Sequence, residues 1–77
     1  MPTLLNLEGF KFFFYANEHE PKHIHVLKGD DFAKIELGAL RVVKSTFKYQ
    51  DSRRALEIVS QYQSEFSRKW DEYFNQR

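Results

Sequence analysis

Residues 23–37 read H-I-H-V-L-K-G-D-D-F-A-K-I-E-L, and this stretch decides the fold. Two runs that alternate apolar and polar side chains flank a turn at residues 28–31, where Gly29 is able to adopt a positive φ. The pattern predicts a β-hairpin in which the apolar faces of the two strands coincide. The polar faces then coincide too. The side chains expected on that polar surface are His23, His25, Lys34 and Glu36.

The segment before the hairpin carries most of the other reactive groups. Residues 17–26 hold all three histidines of the chain, together with Glu18 and Glu20. Residues 16–21 are expected to form a loop, because Pro21 favours an extended conformation in the residue before it. Titratable groups that cluster in this way are markers of functional sites. The segment therefore predicts a site at the start of the hairpin.

The first interpretation of this site is metal-independent acid–base cleavage of RNA. His23 and His25 are two residues apart on a strand, ~6.6 Å along it, so they are able to flank one phosphate as general base and general acid. Lys34 would neutralise the developing charge, and a loop glutamate would orient an imidazole. No cofactor is needed. The candidate catalytic set is His19, His23, His25, Lys34 and Glu18.

The second interpretation is a site for a divalent transition metal such as Zn, Ni or Fe. Histidine nitrogens and carboxylate oxygens suit these ions, and H-x-H on a strand is a common ligand pair. The spacing is not the standard helical signature H-E-x-x-H. The candidate ligands are His19, His23 and His25 with either Glu18 or Glu20.

The third interpretation is structural or concerns partner binding. Histidines are able to hydrogen-bond loop carbonyls and so to fix the turn at residues 17–21. An exposed surface of aromatic and histidine side chains also has the composition of an interface core. A structural role is the better explanation for a single histidine. For three histidines within ten residues it stays open beside the catalytic interpretations.

The sequence F-K-F-F-F-Y at residues 10–15 predicts a strand before the site. Alternate residues of a strand point to opposite faces, which places Lys11, Phe13 and Tyr15 beside the polar surface of the hairpin. Residues 1–9 are expected to form a short arm that ends in a glycine turn.

The second half of the chain changes its periodicity. Residues 40–47 are rich in β-branched side chains and predict a fourth, less regular strand. Residues 51–77 carry apolar side chains at steps of three and four without Gly or Pro, which is typical of an amphipathic helix. Asp51 or Ser52 is the expected N-cap. A single helix is predicted, and a break within residues 60–63 stays open.

The expected architecture is α+β, with a small antiparallel sheet of three to four strands followed by a C-terminal helix packed on one face. Phe66 and Trp70 should lie on the covered face, and the histidines should lie on the other. Residues 1–77 are too few for two cores, so the chain is expected to be a single domain.

The composition excludes several classes of function. The chain has no cysteine, which removes disulfides, thiol catalysis and cysteine zinc sites and fits a reducing cytoplasm. Twelve basic and eleven acidic residues give a net charge of +1, so the chain is not expected to coat nucleic acid by charge alone. Neither a targeting segment nor a membrane helix is expected. A core this small often needs help, and a homo-oligomer or a complex with another protein is predicted.

Basic residues are dense in one segment only. Phe47 and Tyr49 lie among them, and basic with aromatic side chains is the composition of a surface that touches single-stranded nucleic acid. A solvated loop and helix start would have the same composition. The candidate nucleic-acid residues are Arg41, Lys44, Lys48, Arg53 and Arg54.

Residues 9–15, 17–21 and 23–26 together resemble the signature of a small prokaryotic family described as a domain of unknown function. The signature is G-F-x-F-F-F-Y-x-N-E-H-x-P-x-H-[IV]-H-V. The resemblance covers nearly the whole chain and is weakest over residues 38–50. Other similar positions are Ala33, Lys34, Trp70, Tyr73 and Phe74.

The resemblance implies a genetic context and not a reaction. Members of the family are commonly encoded beside a second small domain, in an arrangement that resembles a toxin–antitoxin pair. It therefore implies a small cognate protein as partner. In such a pair the chain would be either a ribonuclease-like toxin or a non-enzymatic antitoxin or regulator.

Overall fold

The computed structural model describes residues 3–74, which form a five-stranded antiparallel sheet followed by two helices. Strand order in the sheet follows chain order. The α+β class is confirmed, but the sheet has five strands where three to four were predicted, and two helices replace the predicted one. No helix within residues 3–74 is long and apolar enough to cross a membrane. The elements are β1 (Thr3–Leu7), β2 (Phe10–Phe13), β3 (His23–Lys28), β4 (Asp31–Glu36), β5 (Arg41–Ser45), α1 (Tyr49–Gln61) and α2 (Gln63–Phe74).

The β3–β4 hairpin has the predicted arrangement of faces. Ile24 pairs with Ile35, and His25 pairs with Lys34, so apolar side chains lie opposite apolar ones and polar opposite polar. Gly29 in the turn has a φ of +60°, which residues with a Cβ rarely adopt. His25 and Lys34 consequently share one face of the sheet.

Residues 3–7 form a strand, so the short arm predicted for residues 1–9 is wrong there, and residues 1–2 of that prediction lie outside the described residues. β1 runs antiparallel to β2, with Leu7 opposite Phe10. Its leucines pack half-buried against the core. This pairing therefore buries apolar area and satisfies backbone groups of β2 that would otherwise lie at a sheet edge. β2 itself ends at Phe13, two residues before the predicted end at Tyr15.

Both helices cover the same face of the sheet and close the core. Phe12 on β2 contacts Phe66 on α2 with ring centroids 5.9 Å apart. The apolar face of the hairpin and the helical stripe meet as the periodicity predicted. The core side chains are Phe10, Phe12, Phe14, Ile24, Val26, Ala33, Ile35, Leu37, Ala55, Ile58, Val59, Phe66 and Trp70.

The two helices are separated at Tyr62, inside residues 60–63 where a break had stayed open. The predicted helix extended to residue 77, and residues 75–77 lie outside the described residues. The Tyr62 N–H still donates to the Ile58 carbonyl over 3.1 Å, so the helical bonding continues to that residue. The Gln63 side-chain amide then donates to the Leu37 carbonyl over 2.7 Å. This bond attaches the start of α2 to the chain just after β4.

Helix α1 begins two residues before the predicted cap. Its first residue is Tyr49, and its N-cap is Lys48, which makes no side-chain capping bond. Asp51 lies in the first turn and faces Lys28 at 3.4 Å. Ser52 bonds a serine hydroxyl of β5 at 2.7 Å. Both predicted caps are therefore wrong, because these side chains bond to the sheet instead.

The predicted separation of the histidines from the helical layer is wrong at one end of the sheet. The rings of Trp70 and His23 lie 5.1 Å apart between centroids. His23 is the first residue of β3, and Trp70 also contacts Phe14, which follows the last residue of β2. Because both strands end here, no strand backbone separates the two faces, and the indole reaches the imidazole.

Candidate active site

A carboxylate from the loop between β2 and β3 meets both histidines of β3. Glu18 Oε1 lies 2.8 Å from His23 Nε2, and Glu18 Oε2 lies 2.9 Å from His25 Nε2. The Tyr15 N–H donates to Glu18 over 2.9 Å, which holds the loop back against the strand. The Glu18 side chain is only 8% exposed, so these contacts form away from bulk water. Glu18, His23 and His25 are called the carboxylate–histidine cluster below.

His23 makes a hydrogen bond through each ring nitrogen. Its Nδ1 lies 2.8 Å from the Pro21 carbonyl oxygen, and its Nε2 lies 2.8 Å from Glu18. A carbonyl oxygen can only accept, so Nδ1 carries a proton and donates it. The contact between Nε2 and the carboxylate is then a hydrogen bond only if a second proton lies between them. A proton held there would be shared between His23 and Glu18 and would be transferable.

His25 has different surroundings. Its ring stacks on Phe13, with centroids 5.6 Å apart, and the Tyr15 ring approaches it within 4.4 Å. Its Nε2 is buried and close to Glu18 but lacks the alignment of a hydrogen bond. Burial lowers the pKa of the His25 imidazole below its ordinary value, although the Glu18 carboxylate opposes this shift. The imidazole of His25 is therefore neutral near pH 7.

The carboxyl group of Glu18 remains ionised. Burial alone would raise its pKa, but the Tyr15 N–H donor and the two imidazoles outweigh burial, and the pKa of Glu18 lies below its ordinary value. The cluster thus places one ionised carboxylate between two imidazoles with unlike surroundings. When neighbouring titratable groups have different surroundings, their pKa values differ, and one group is able to act as the acid and the other as the base.

The carboxylate–histidine cluster borders a pocket of about 260 Å³. Residues 17–21, His23 and Lys34 line it. Lys34 also pairs with His25 across the β3–β4 ladder, so the cation predicted for the site lies next to the cluster. The pocket has room for a group several times larger than a water molecule. This arrangement is able to bind an anion near Lys34 and to transfer a proton at His23.

His19 lines the same pocket, but it is exposed and lies outside the cluster. Within residues 3–74, the side chains whose metal-ligating atoms converge are Glu18, His23 and His25, and these atoms lie within 4.8 Å of one another. Two imidazoles and one carboxylate are a ligand set that suits Zn or Fe. The structure therefore brings Glu18 to the two strand histidines and leaves His19 apart.

The five candidate nucleic-acid residues divide between two sides of the sheet. Arg41 and Lys44 of β5 lie on the face that carries the histidines. The Arg41 guanidinium donates to Glu36 over 2.9 Å, and the Lys44 ammonium lies over the Phe32 ring. The other three belong to the start of the helical layer and are Lys48, Arg53 and Arg54.

The guanidinium of Arg54 forms ion pairs with two carboxylates. Its guanidinium donates to Glu8 over 2.6 and 2.8 Å and to Glu57 over 3.2 Å. These bonds raise the pKa of Arg54 and lower the pKa of Glu8. Arg53 lies 3.9 Å from Glu57. A phosphate would have to compete with these carboxylates, so the two arginines are less available to it than Lys44.

Strand alternation predicted the two strand histidines, whereas two other contributors were missed. The Pro21 carbonyl, which fixes the proton on His23, depends on a loop conformation that no periodicity encodes. Trp70 lies against His23, although the helical stripe assigned it to the covered face. Phe13 and Tyr15, expected only as neighbours, form the aromatic walls of the site.

Comparison with known families gives one match. A family model described as Domain of unknown function (DUF4160) matches residues 9–71, which is more than half of the chain. The matched region includes the carboxylate–histidine cluster, the pocket beside it and the strands from β2 onwards. Comparison with curated proteins and with solved structures gives no match.

Proposed function

We propose that this chain, which belongs to the DUF4160 family, is the ribonuclease of a toxin–antitoxin-like pair in the prokaryotic cytoplasm and works without a metal. The carboxylate–histidine cluster carries the proposal, because Glu18 contacts both imidazoles, bonds to one of them, and burial lowers the pKa of the other. Cleavage of RNA through the 2′-hydroxyl needs a base, an acid and a cation near the phosphate. The two imidazoles and Lys34 are groups of these three kinds.

His25 is the general base of the proposed reaction. Its lowered pKa keeps the imidazole neutral, so it is able to accept the proton of the 2′-hydroxyl. The 2′-oxygen then bonds to phosphorus, and the bond from phosphorus to the 5′-oxygen breaks. The product on one side is a 2′,3′-cyclic phosphate. The side chain of His25 is 16% exposed, which leaves part of the ring accessible to substrate.

His23 is the proposed general acid. Its Nδ1–H is held by the Pro21 carbonyl, and the proton between its Nε2 and Glu18 passes to the leaving 5′-oxygen. The product on this side is a 5′-hydroxyl. The leaving 5′-oxygen competes with the carboxylate for this proton, and Glu18 orients the imidazole for the transfer. Lys34 stabilises the charge that develops on the phosphate oxygens.

Alanine variants test these roles. His23→Ala and His25→Ala should each lower the rate of RNA cleavage by ~10²–10⁴-fold, which is the usual effect of one positioned proton-transfer group. Lys34→Ala should lower the rate through lost charge stabilisation. The rate is measured with a fluorescent RNA and EDTA-treated protein at a series of pH values. A bell-shaped dependence on pH is expected.

The two loop glutamates provide a matched control. Glu18→Gln removes the carboxylate between the imidazoles, and Glu20→Gln removes the same charge from an exposed side chain outside the cluster. Only the first variant should lose activity to the extent of a histidine variant. If wild-type protein free of metal and partner leaves RNA intact between about pH 5 and pH 9, the acid–base proposal is wrong.

A divalent transition metal is the second candidate, and the convergence of Glu18, His23 and His25 favours it. The bond to the Pro21 carbonyl leaves Nε2 of His23 as the ligating atom, which is the usual arrangement of a histidine ligand. A metal site predicts near-stoichiometric Zn, Ni or Fe in protein purified without chelator. It also predicts that EDTA lowers the Tm. The acid–base proposal predicts neither result.

Partner binding is favoured by an open groove between α1 and β5. Two adjoining cavities of about 510 and 450 Å³ share Arg53 and Leu56. Tyr49 at the start of α1 is 76% exposed beside them. The resemblance to proteins encoded beside a second small domain supports a cognate protein as the occupant. A chain that only bound this partner would be an antitoxin or a regulator, and it would not cleave RNA.

A further inference from the structure

Two neighbouring rows of side chains run across the strands on the sheet face opposite the helices, beside a third row that consists of His23, Glu36 and Arg41. The rows are two residues apart along each strand, or ~6.6–6.8 Å. We call the two neighbouring rows together the open sheet face. One row consists of Phe13, His25, Lys34 and Lys44. The other row consists of Lys11, Leu27 and Phe32.

The open sheet face has positive charge that other side chains do not neutralise. Lys11, Lys34 and Lys44 make no ion pair with any residue in the range 3–74. Lys34 and Lys44 lie directly opposite each other on neighbouring strands. Like charges in that position destabilise a sheet. A bound anion between them would remove this repulsion, so the pair favours an anionic ligand.

Aromatic rings lie among these lysines. The Lys11 ammonium lies 5.8 Å from the centroid of Phe13, and the Lys44 ammonium lies 5.7 Å from that of Phe32. Phe32 is 38% exposed and Tyr15 is 49% exposed. Unpaired bases stack on exposed aromatic rings, whereas the base faces of a duplex are hidden within its own stack. The surface therefore fits a polyanion with free bases better than it fits a duplex.

We infer that the substrate is single-stranded RNA that crosses the open sheet face from Lys44 to His25. Phosphates contact Lys44 and Lys34, and bases stack on Phe32 and Tyr15. A phosphate bound at Lys34 lies beside His25, which is its partner across the ladder. The inference rests on the proposed function, since that function names RNA as the substrate.

This path differs from the basic segment that the sequence suggested. It includes Lys44 of that segment and leaves out Arg53 and Arg54, which belong to α1 and contact Glu57 and Glu8. The difference supplies a control of equal charge. Arg53→Ala removes one positive charge from the helical side, and Lys44→Ala removes one from the open sheet face.

Binding is measured with a probe that cannot be cleaved. The probe is a fluorescent 2′-O-methyl RNA of about ten nucleotides, a length typical of the sites of domains that bind single strands, and anisotropy gives the Kd. Phe32→Leu should weaken binding by about 5- to 100-fold, the effect of losing one stacked base. Phe32→Tyr, which keeps an aromatic ring, should bind like the wild type. A duplex of the same sequence should bind more weakly than the single strand.

Salt dependence identifies the phosphate contacts. Lys44→Ala should reduce the slope of log K against log salt by about 0.7, which is the contribution of one phosphate contact to a single strand. Arg53→Ala should leave both the slope and the Kd unchanged. Circular dichroism melts of all variants confirm that the proteins compared are folded.

Three results would overturn the inference: no binding of the single strand, equal or tighter binding of the duplex, or an effect of Arg53→Ala in place of Lys44→Ala. The probe separates this inference from the proposed reaction. If the protein binds the probe as expected but never cleaves RNA, the inferred binding surface is supported and the proposed ribonuclease activity is wrong. If the protein cleaves RNA but neither Phe32→Leu nor Lys44→Ala changes binding of the probe, the ribonuclease proposal is supported and the inferred binding surface is wrong.

Discussion

The two imidazoles of the carboxylate–histidine cluster differ in what else they touch. Both face the Glu18 carboxylate. His23 has a second acceptor in the Pro21 carbonyl, so both of its nitrogens are directed by hydrogen bonds. His25 has the rings of Phe13 and Tyr15 instead, which exclude water and disfavour its charged form. One carboxylate therefore acts as a hydrogen-bond acceptor for one imidazole and as a nearby charge for the other.

We predict that acidification lowers the stability of the fold in two stages. The pKa of His25 is lower in the folded protein than its ordinary value of 6.5, so the unfolded chain takes up that proton first. The free energy of unfolding should therefore fall as the pH drops below about 6.5. The pKa of Glu18 lies below 4.5, and its stabilising contribution, present above that pH, is lost as the pH falls further. Denaturant unfolding at a series of pH values measures both stages.

His25→Gln isolates the first stage. This variant cannot take up a proton at residue 25, so its unfolding free energy should change less than that of the wild type between about pH 6.5 and pH 4.5. His19→Gln removes an exposed histidine outside the cluster and should follow the wild-type curve. A wild-type protein that became more stable on acidification through this range would contradict the prediction.

Strand residues of the site were predictable because a strand has a fixed period. Alternation alone places His25 and Lys34 on one surface, and the hairpin register makes them neighbours. Loop residues have no such period. The sequence offered both Glu18 and Glu20 as the loop carboxylate and placed only Glu18 in the candidate catalytic set. The backbone path of the loop decides that Glu18 faces the imidazoles and that His19 does not.

Elements at the ends of the chain were harder to predict than those in the middle. β1 has five residues and no strong alternation, and its identity as a strand depends on pairing with β2, a contact that local sequence does not reveal. The helical stripe was predicted, because its period is local. The position of the break at Tyr62 follows from how α2 attaches to the sheet through Gln63 and the Leu37 carbonyl.

Helix α2 contributes to both the core and the site through Trp70. This side chain is buried against Phe14, Phe74 and the His23 ring. Trp70→Ala should lower the free energy of unfolding by ~3–5 kcal/mol, because it leaves a large cavity in a small core. It should also lower RNA cleavage, since the wall behind the His23 imidazole is lost. Denaturant unfolding and the cleavage assay measure the two effects.

Two further variants serve as controls for Trp70→Ala. Trp70→Phe retains part of the packing, and it reports on the site if the alanine variant does not fold. Tyr49→Ala removes an exposed ring from α1 and should change the free energy of unfolding by less than about 0.5 kcal/mol. A Trp70→Ala protein as stable as the wild type would show that the core assignment of α2 is wrong.

At the scale of the whole molecule, the helices cover one sheet face, and two separate surfaces formed by residues 3–74 matter for binding. One is the open sheet face, and the other is the groove between α1 and β5. The outer edge of β5 is poorly suited to pair with a second copy, because a bulge leaves Val43 without a partner and Lys44 follows it. Periodicity predicted which face is covered, but the groove depends on the lateral position of α1 and could not be predicted.

We predict that a cognate partner occupies the groove and that RNA and partner have separate binding surfaces. If Tyr49 is a hot spot of the interface, Tyr49→Ala should weaken a complex with the product of the neighbouring gene by at least about 30-fold, because truncation of a hot-spot residue costs ~2 kcal/mol or more. Phe32→Leu should leave that complex intact, although it weakens RNA binding. Co-expression followed by calorimetry of the purified pair measures the affinities. If no complex forms, or if Phe32→Leu abolishes it while Tyr49→Ala does not, the groove is not the partner site.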